Sequence, residues 1–295
     1  MSTASEPEQH FFRSQRLKLC YWSWGDPTNP PVILQHGGRD HGRSWDRIAE
    51  ALADEYYVVT PDLRGHGDSD WEIGGEYSTP QAVVDLMALI DEIGAPVNIV
   101  AHSYGGLLTY LAAGSYPDRF RAIVSIEGRI SGRPTEPEPL NPQTLRKTIE
   151  ARRDLERRMP HRYATLDDAA ERMHESNRRL HPEMAHHLAL HGVRDAGDAD
   201  GGLVWKFDNW ARPGVRRDDV SPNEGQSFAE AIECPVLLIV GDQSGGLRNQ
   251  QDEIKYFRDG RAVLVADAAY WVHHDQPAAV IDEARTFLAA VAARA

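Results

Sequence analysis

Cysteine is scarce, positive charge is in deficit, and no apolar run is long. Only Cys20 and Cys234 occur in 295 residues. They cannot make a disulfide framework, and both fall in stretches that read as strands, so a reduced cytoplasm is the expected setting. Lys and Arg number 32 against 45 Asp and Glu, for a net charge of −13. A surface that acidic repels phosphate backbones and anionic lipid, so neither nucleic acid nor membrane is an expected partner. The aliphatic run Val236-Leu-Leu-Ile-Val240 is far too short to span a bilayer. Met1–Gln9 has neither a basic region nor an apolar stretch, so no signal peptide is expected. Internal repeats, a glycine-rich dinucleotide fingerprint and a phosphate-binding loop are all missing. His187 and His191 lie one helical turn apart, but no Glu follows the first as the two-histidine zinc motif requires. No metal and no other cofactor is expected. The oligomeric state is not legible, a homodimer being one option.

What is present is a rhythm. Phe11 to Trp24 reads as a strand or hairpin that breaks at Gly25-Asp-Pro27. Short aliphatic runs then alternate with helical stretches. The strands are Val32–His36, Tyr57–Thr60, Val97–Ala101 and Ala122–Ile126, and the helices are Trp45–Ala53, Thr79–Ile93 and Gly105–Ser115. This alternation predicts an α/β fold, a mostly parallel sheet with helices on both faces. From about 130 to 230 the rhythm stops, and only helical spacing shows, in Thr144–Arg158 and Leu166–Arg179. It resumes with Pro235–Val240, Arg261–Val265 and a last helix, Gln276–Ala293. The reading is a core of residues 1–129 and 231–295, interrupted by a helical cap insertion over 130–230. Such an insertion commonly lies at one end of the sheet, where it roofs a pocket.

Val97-Asn-Ile-Val-Ala-His-Ser103-Tyr-Gly-Gly106 is a strand, a tight turn and a helix start. A serine at the apex with small residues two before and two after is the pattern of a nucleophile elbow. The small neighbours let the chain pass close to a strained apex, although Ala101 stands where glycine is commoner. With these parts in place the whole chain resembles an α/β-hydrolase. His36-Gly37-Gly38 resembles the family's oxyanion loop, and Asp62–Ser69 resembles the loop after its next strand, with Arg64 and Asp68 read as structural. The resemblance implies that the backbone N–H groups of Gly38 and Tyr104 surround the developing oxyanion, donors worth a few kcal/mol each. Gly37, Trp45 and Trp271 are expected to touch a small-molecule substrate. Ser103 in place of an Asp argues against the carboxylate nucleophile of dehalogenases and epoxide hydrolases of this fold.

The acid and the base depart from the common family pattern. The loop Gly241-Asp-Gln-Ser-Gly-Gly246 has no acid at the usual place, and Asp242 comes too early. A branch of the family carries the acid after the preceding core strand, and there Glu127 follows Ile126. A charge at a strand end is costly unless it is used or paired, so Glu127 is the expected triad acid. In Asp267-Ala-Ala-Tyr270-Trp-Val-His-His-Asp-Gln-Pro277 the family pattern puts Tyr270 where the catalytic histidine belongs. A phenol titrates near 10 against about 6.5 for imidazole, so it is a poor base at neutral pH. Three readings stay open: a disabled serine hydrolase, a member with different chemistry, or recruitment of His273 or His274 as base. The expectation is a cofactor-free esterase or lactonase with Ser103, Glu127 and Tyr270 at its centre. The alternative is a non-hydrolytic enzyme or ligand-binding protein using the same pocket.

Overall fold

The computed structural model describes residues 6–131, 139–211, 220–245 and 252–294. Parts of the expected insertion, 132–138 and 212–219, and Gly246 of the loop after the penultimate strand lie outside the described residues. Ten strands run β1 Glu8–Ser14, β2 Leu17–Trp24, β3 Pro31–Gln35, β4 Tyr57–Pro61, β5 Val97–His102, β6 Phe120–Ile126, β7 Val193–Asp195, β8 Leu203–Trp205, β9 Val236–Gly241 and β10 Gly260–Val265. Eight of them form one sheet in the order β1-β2-β4-β3-β5-β6-β9-β10. The β1–β2 and β2–β4 pairs are antiparallel, and every other pair in that sheet is parallel. Phe11 to Trp24 is therefore a hairpin. Cys20 lies in β2, whereas Cys234 falls just before β9 rather than within it; both are free and buried.

The central strands are buried on both faces, which explains their unbroken aliphatic sequences. Alternate residues enter opposite cores. Ile33, Ile99, Ile123 and Leu238 share one with Leu86, Leu89 and Ile90 of helix α2 (Thr79–Ile93). Val32, Leu34, Val100, Val124, Leu237 and Ile239 share the other with Trp45, with Ile48 and Leu52 of α1 (Asp46–Leu52), and with the C-terminal helix. Helix α2 starts where its sequence says it should: Ser78 and Gln81 form a reciprocal capping box, with Pro80 in the first turn.

Helix α3 (Tyr104–Ser115) follows β5 with only Ser103 between them. Between β6 and β9, in the span expected to be an insertion, the described residues hold α4 (Pro142–Glu156), α5 (Leu166–Ser176), α6 (Pro182–Gly192) and the small antiparallel pair β7–β8. That pair had no strand signal in the sequence; three-residue strands are too short to show a period. Helix α7 (Pro222–Ala231) packs on α3, with Gly114 closing on the Phe228 backbone, so it belongs to the core. A core helix thus falls within the span 130–230 that the sequence assigns to the insertion. A short α8 (Val272–Asp275), which the sequence reading lacks, precedes α9 (Pro277–Ala292), the expected last helix. Among the described residues no helix is long and apolar enough to cross a membrane.

Candidate active site

The C-terminal ends of β3, β5, β6, β9 and β10 all open toward the same edge of the sheet, the usual place for a site in such folds. Ser103 sits between β5 and α3 with φ 53° and ψ −116°, a strained backbone for a residue with a side chain. The glycines after it are demanded by close approach. A Cβ on Gly105 would lie 2.6 Å from the Gln35 carbonyl oxygen, and one on Gly106 would lie 2.7 Å from Ser125 Oγ. Ser103 N–H donates to the Ile126 carbonyl at 2.9 Å, which ties the elbow to the strand that ends at Glu127.

The Ser103 and Tyr270 hydroxyls are hydrogen-bonded to each other, and either can be the donor. Burial, then the charge of Glu127, push the Tyr270 phenol above its ordinary value; the Ser103 hydrogen bond and Arg39 pull the other way. Glu127 is 2% exposed and also has a positive φ of 51°. Its Oε1 accepts from Gly241 N–H at 2.9 Å and its Oε2 from the Ser244 hydroxyl at 2.8 Å. It thus grips the loop that carries the acid in most relatives of this pattern. Asp242 is exposed, and its Oδ1 accepts from Ala268 N–H at 3.3 Å.

Histidines crowd the floor. His36 donates from Nδ1 to the Gly37 carbonyl at 2.6 Å and accepts at Nε2 from Leu63 N–H at 2.9 Å. It ties the loop after β3 to the loop after β4 and is held neutral by burial, which puts its pKa well below the usual range. His102 donates from Nε2 to the Tyr270 carbonyl at 3.0 Å, and burial lowers it to about 4. His273 is fully enclosed, stacked on Trp45 with centroids 4.7 Å apart, and does not face Ser103. His274 reaches the cavity wall, lowered to about 3 chiefly by burial.

A cavity of about 810 Å³ lies over Ser103. Gly38, Ser103, Tyr104, Tyr270 and Trp271 line it, joined from the insertion by Tyr163, Leu188, Trp205 and Phe207. Two expectations are corrected. Trp45 is fully buried in the core beneath α1 and is not among the residues that line this cavity. Gly37 lies behind the wall, where a Cβ would meet His102 and Ser103 at 3.1 Å. Trp205 and Phe207 line the cavity; the sequence offers them among five aromatics able to do so, of which only Trp45 and Trp271 are expected there. Sequence reading also missed the cations Arg39, Arg158, Arg172 and Lys206 on the wall. The expected structural roles of Arg64 and Asp68 are visible as contacts. Arg64 pairs with Asp85 at 2.6 Å, and Asp68 accepts from Lys206 of the insertion at 2.7 Å. His187 donates to the Arg43 carbonyl at 2.9 Å and faces Asp46 at 3.3 Å.

Elbow, converging strand ends and roofed cavity match a known group. A family profile described as the alpha/beta hydrolase fold matches residues 30–275. This chain belongs to the α/β-hydrolase-fold family. Among curated members, a 3-hydroxybutyrate-oligomer hydrolase of Cupriavidus necator is 39% identical over 100 residues, 33% of this chain and 34% of that protein. The matches to the first three curated members span 34%, 40% and 38% of their lengths, well under half. An esterase of Mycobacterium tuberculosis is 27% identical over 286 residues, 94% of this chain and 88% of that protein. In structure, a thioesterase domain from the curacin biosynthetic pathway superposes with a TM-score of 0.83 at 23% identity, covering 96% of this chain and 100% of that one.

Proposed function

We propose that this α/β-hydrolase cleaves a small or medium carboxylic ester or lactone through Ser103, without a cofactor, with Tyr270 standing where the base belongs. One observation carries the reading: the strained elbow serine is hydrogen-bonded, hydroxyl to hydroxyl, to Tyr270 at the floor of a roofed cavity.

The chemistry follows from which form of Tyr270 can take a proton. A neutral phenol cannot; a phenolate can. It accepts the Ser103 proton as Oγ attacks the ester carbonyl, and the oxyanion that forms lies where Gly38 and Tyr104 offer backbone N–H groups. The phenol then returns the proton to the leaving alkoxide, and a water repeats the cycle on the acyl-enzyme. For a phenol titrating near 10, only about one molecule in a thousand is phenolate at pH 7, and the upward push from burial and Glu127 makes it fewer. Turnover is therefore slow at neutral pH and climbs with alkalinity. Lys206 is paired with Asp68 and Arg172 with Glu175, and Arg39 and Arg158 against Asp40 still leave the cavity wall net positive, which suits a substrate carrying a carboxylate.

The test is labelling by a fluorophosphonate probe together with hydrolysis of an ester panel that includes carboxylate-bearing members. Labelling of the wild type and none of Ser103→Ala, with a rate still rising at pH 9, is the expected result. No labelling at any pH would overturn the reading in favour of a non-hydrolytic role for the pocket.

A further inference from the structure

We propose that Asp40, His102 and His273 form a site for one divalent transition-metal ion, with an open position toward the cavity. No metal motif shows in the chain because the three residues come from separate places: the loop after β3, the last residue of β5, and α8. Their ligand atoms nevertheless lie within 4.8 Å of one another.

The protonation pattern points the same way. Nε2 of His102 faces a carbonyl oxygen, which only accepts, so Nε2 carries the proton and Nδ1 holds the lone pair. That Nδ1 is buried and has no hydrogen-bond partner, and neither has Nδ1 or Nε2 of His273. Both side chains are 2% exposed. Buried polar atoms seldom go unpartnered, and one ion would take up Nδ1 of His102 and one of the two His273 nitrogens. His102 has the arrangement of a metal-bound imidazole, one nitrogen free for the ion and the other N–H on a backbone carbonyl. Burial keeps both rings neutral, the form that ligates. Asp40 supplies the carboxylate, with its Oδ1 already oriented by His41 N–H at 2.8 Å. Two imidazoles and a carboxylate suit Zn²⁺, Co²⁺ or Ni²⁺. Ligand bonds of about 2.0–2.2 Å leave the side chains roughly an ångström to close. Asp40 and His102 line the cavity while His273 does not, so the fourth position opens to water or to an anionic ligand group.

Two other clusters of ligand-type residues are already committed. Asp46, beside His187 and His191, is gripped by Arg43 at 2.7 to 2.9 Å, and that guanidinium repels an incoming cation. Cys20, beside Asp62 and Asp68, has its thiol pushed well up by burial. Asp62 accepts from two backbone N–H groups, and Asp68 is paired with Lys206.

The experiment is titration of the chelator-treated full chain with Zn²⁺ by equilibrium dialysis and with Co²⁺ by absorption. It reads binding alone and does not depend on any hydrolytic activity. One equivalent should bind, with visible Co²⁺ bands. Asp40→Asn and His273→Gln should each weaken Zn²⁺ at least about tenfold. The double change His187→Gln with His191→Gln should leave affinity within about twofold, since those rings are not ligands. Failure of the wild type to bind a stoichiometric ion would overturn the proposal, as would a loss that follows the His187 and His191 changes instead. The wild-type titration decides even where a variant fails to fold.

Discussion

At the scale of single residues, the hydroxyl of Tyr270 stands against Ser103, where a histidine would present a ring nitrogen with a free lone pair at pH 7. On the proposed reading the other parts of an acyl-transfer site are Ser103, Gly38 and the buried Glu127, whose charge acts on residue 270. Tyr270→His is therefore expected to raise ester hydrolysis at least about a hundredfold at pH 7 to 8, the lower end of general-base effects. The gain should rise with pH near the imidazole value, around 6.5, and vanish when Ser103→Ala is added, because the two act as one unit. In the Tyr270→His background, Glu127→Gln should remove at least about tenfold of the gain. Asp242→Asn, altering an exposed group on Ala268 N–H, should not. A folded Tyr270→His protein with no gain across the panel would mean that the cavity is not built for acyl transfer. Equal losses from the Glu127 and Asp242 changes would overturn the assignment of the acid.

At the scale of elements, helix α2 is held to the loop after β4 by a buried ion pair. Arg64 Nε reaches Asp85 Oδ2 at 2.6 Å and its terminal nitrogen reaches Oδ1 at 2.7 Å, with a further contact to Glu72 at 3.0 Å. The two side chains are 3% and 6% exposed. Breaking such a pair from one side strands a charge in the interior, which costs about 3–5 kcal/mol. Asp85→Ala should thus lower unfolding free energy by about 3 kcal/mol in urea, the lower end because Glu72 remains. Adding Arg64→Met should recover most of it. A loss under about 1 kcal/mol from Asp85→Ala would show that the pair is not buried in solution. The reading of Arg64 as structural came from turn-like sequence alone; its partner on α2 could not be named without the fold.

At the scale of the whole molecule, the buried histidines set the response to acid. His41 is lowered to about 3, His274 to about 3 and His102 to about 4, chiefly by burial, with His36 and His273 well below the usual range. A depressed histidine favours the native state above the unfolded value of about 6.5, and that stability is lost as pH falls from there toward the folded value. Asp40, raised to about 7, and Asp62, raised to about 6, both chiefly by burial, act oppositely and gain native stability on acidification. Five histidines outweigh two carboxyls. Stability by chemical denaturation should drop by a few kcal/mol between pH 7 and pH 5. A flat or rising profile over that range would contradict the burial of these rings. Residues between β6 and β9 contact this region, His41 Nε2 donating to the Leu188 carbonyl at 3.1 Å and Lys206 pairing with Asp68.

The order of strands and helices, the serine elbow and the tyrosine in the base position were legible in the chain because each is written in neighbouring residues. Aliphatic period, small side chains around an apex and a short motif before the last helix are local signals that need no partner. The cavity was not legible. Trp205 and Phe207 line it and Trp45 does not, and β7–β8 and α7 fall where only an insertion was expected. The grip of Glu127 on Gly241 and Ser244, and the meeting of Asp40, His102 and His273, join residues far apart in sequence. Which side chains share a cavity or a buried hydrogen bond depends on how distant segments pack. That packing is fixed by the two cores on either side of the sheet, and no short stretch of sequence contains it.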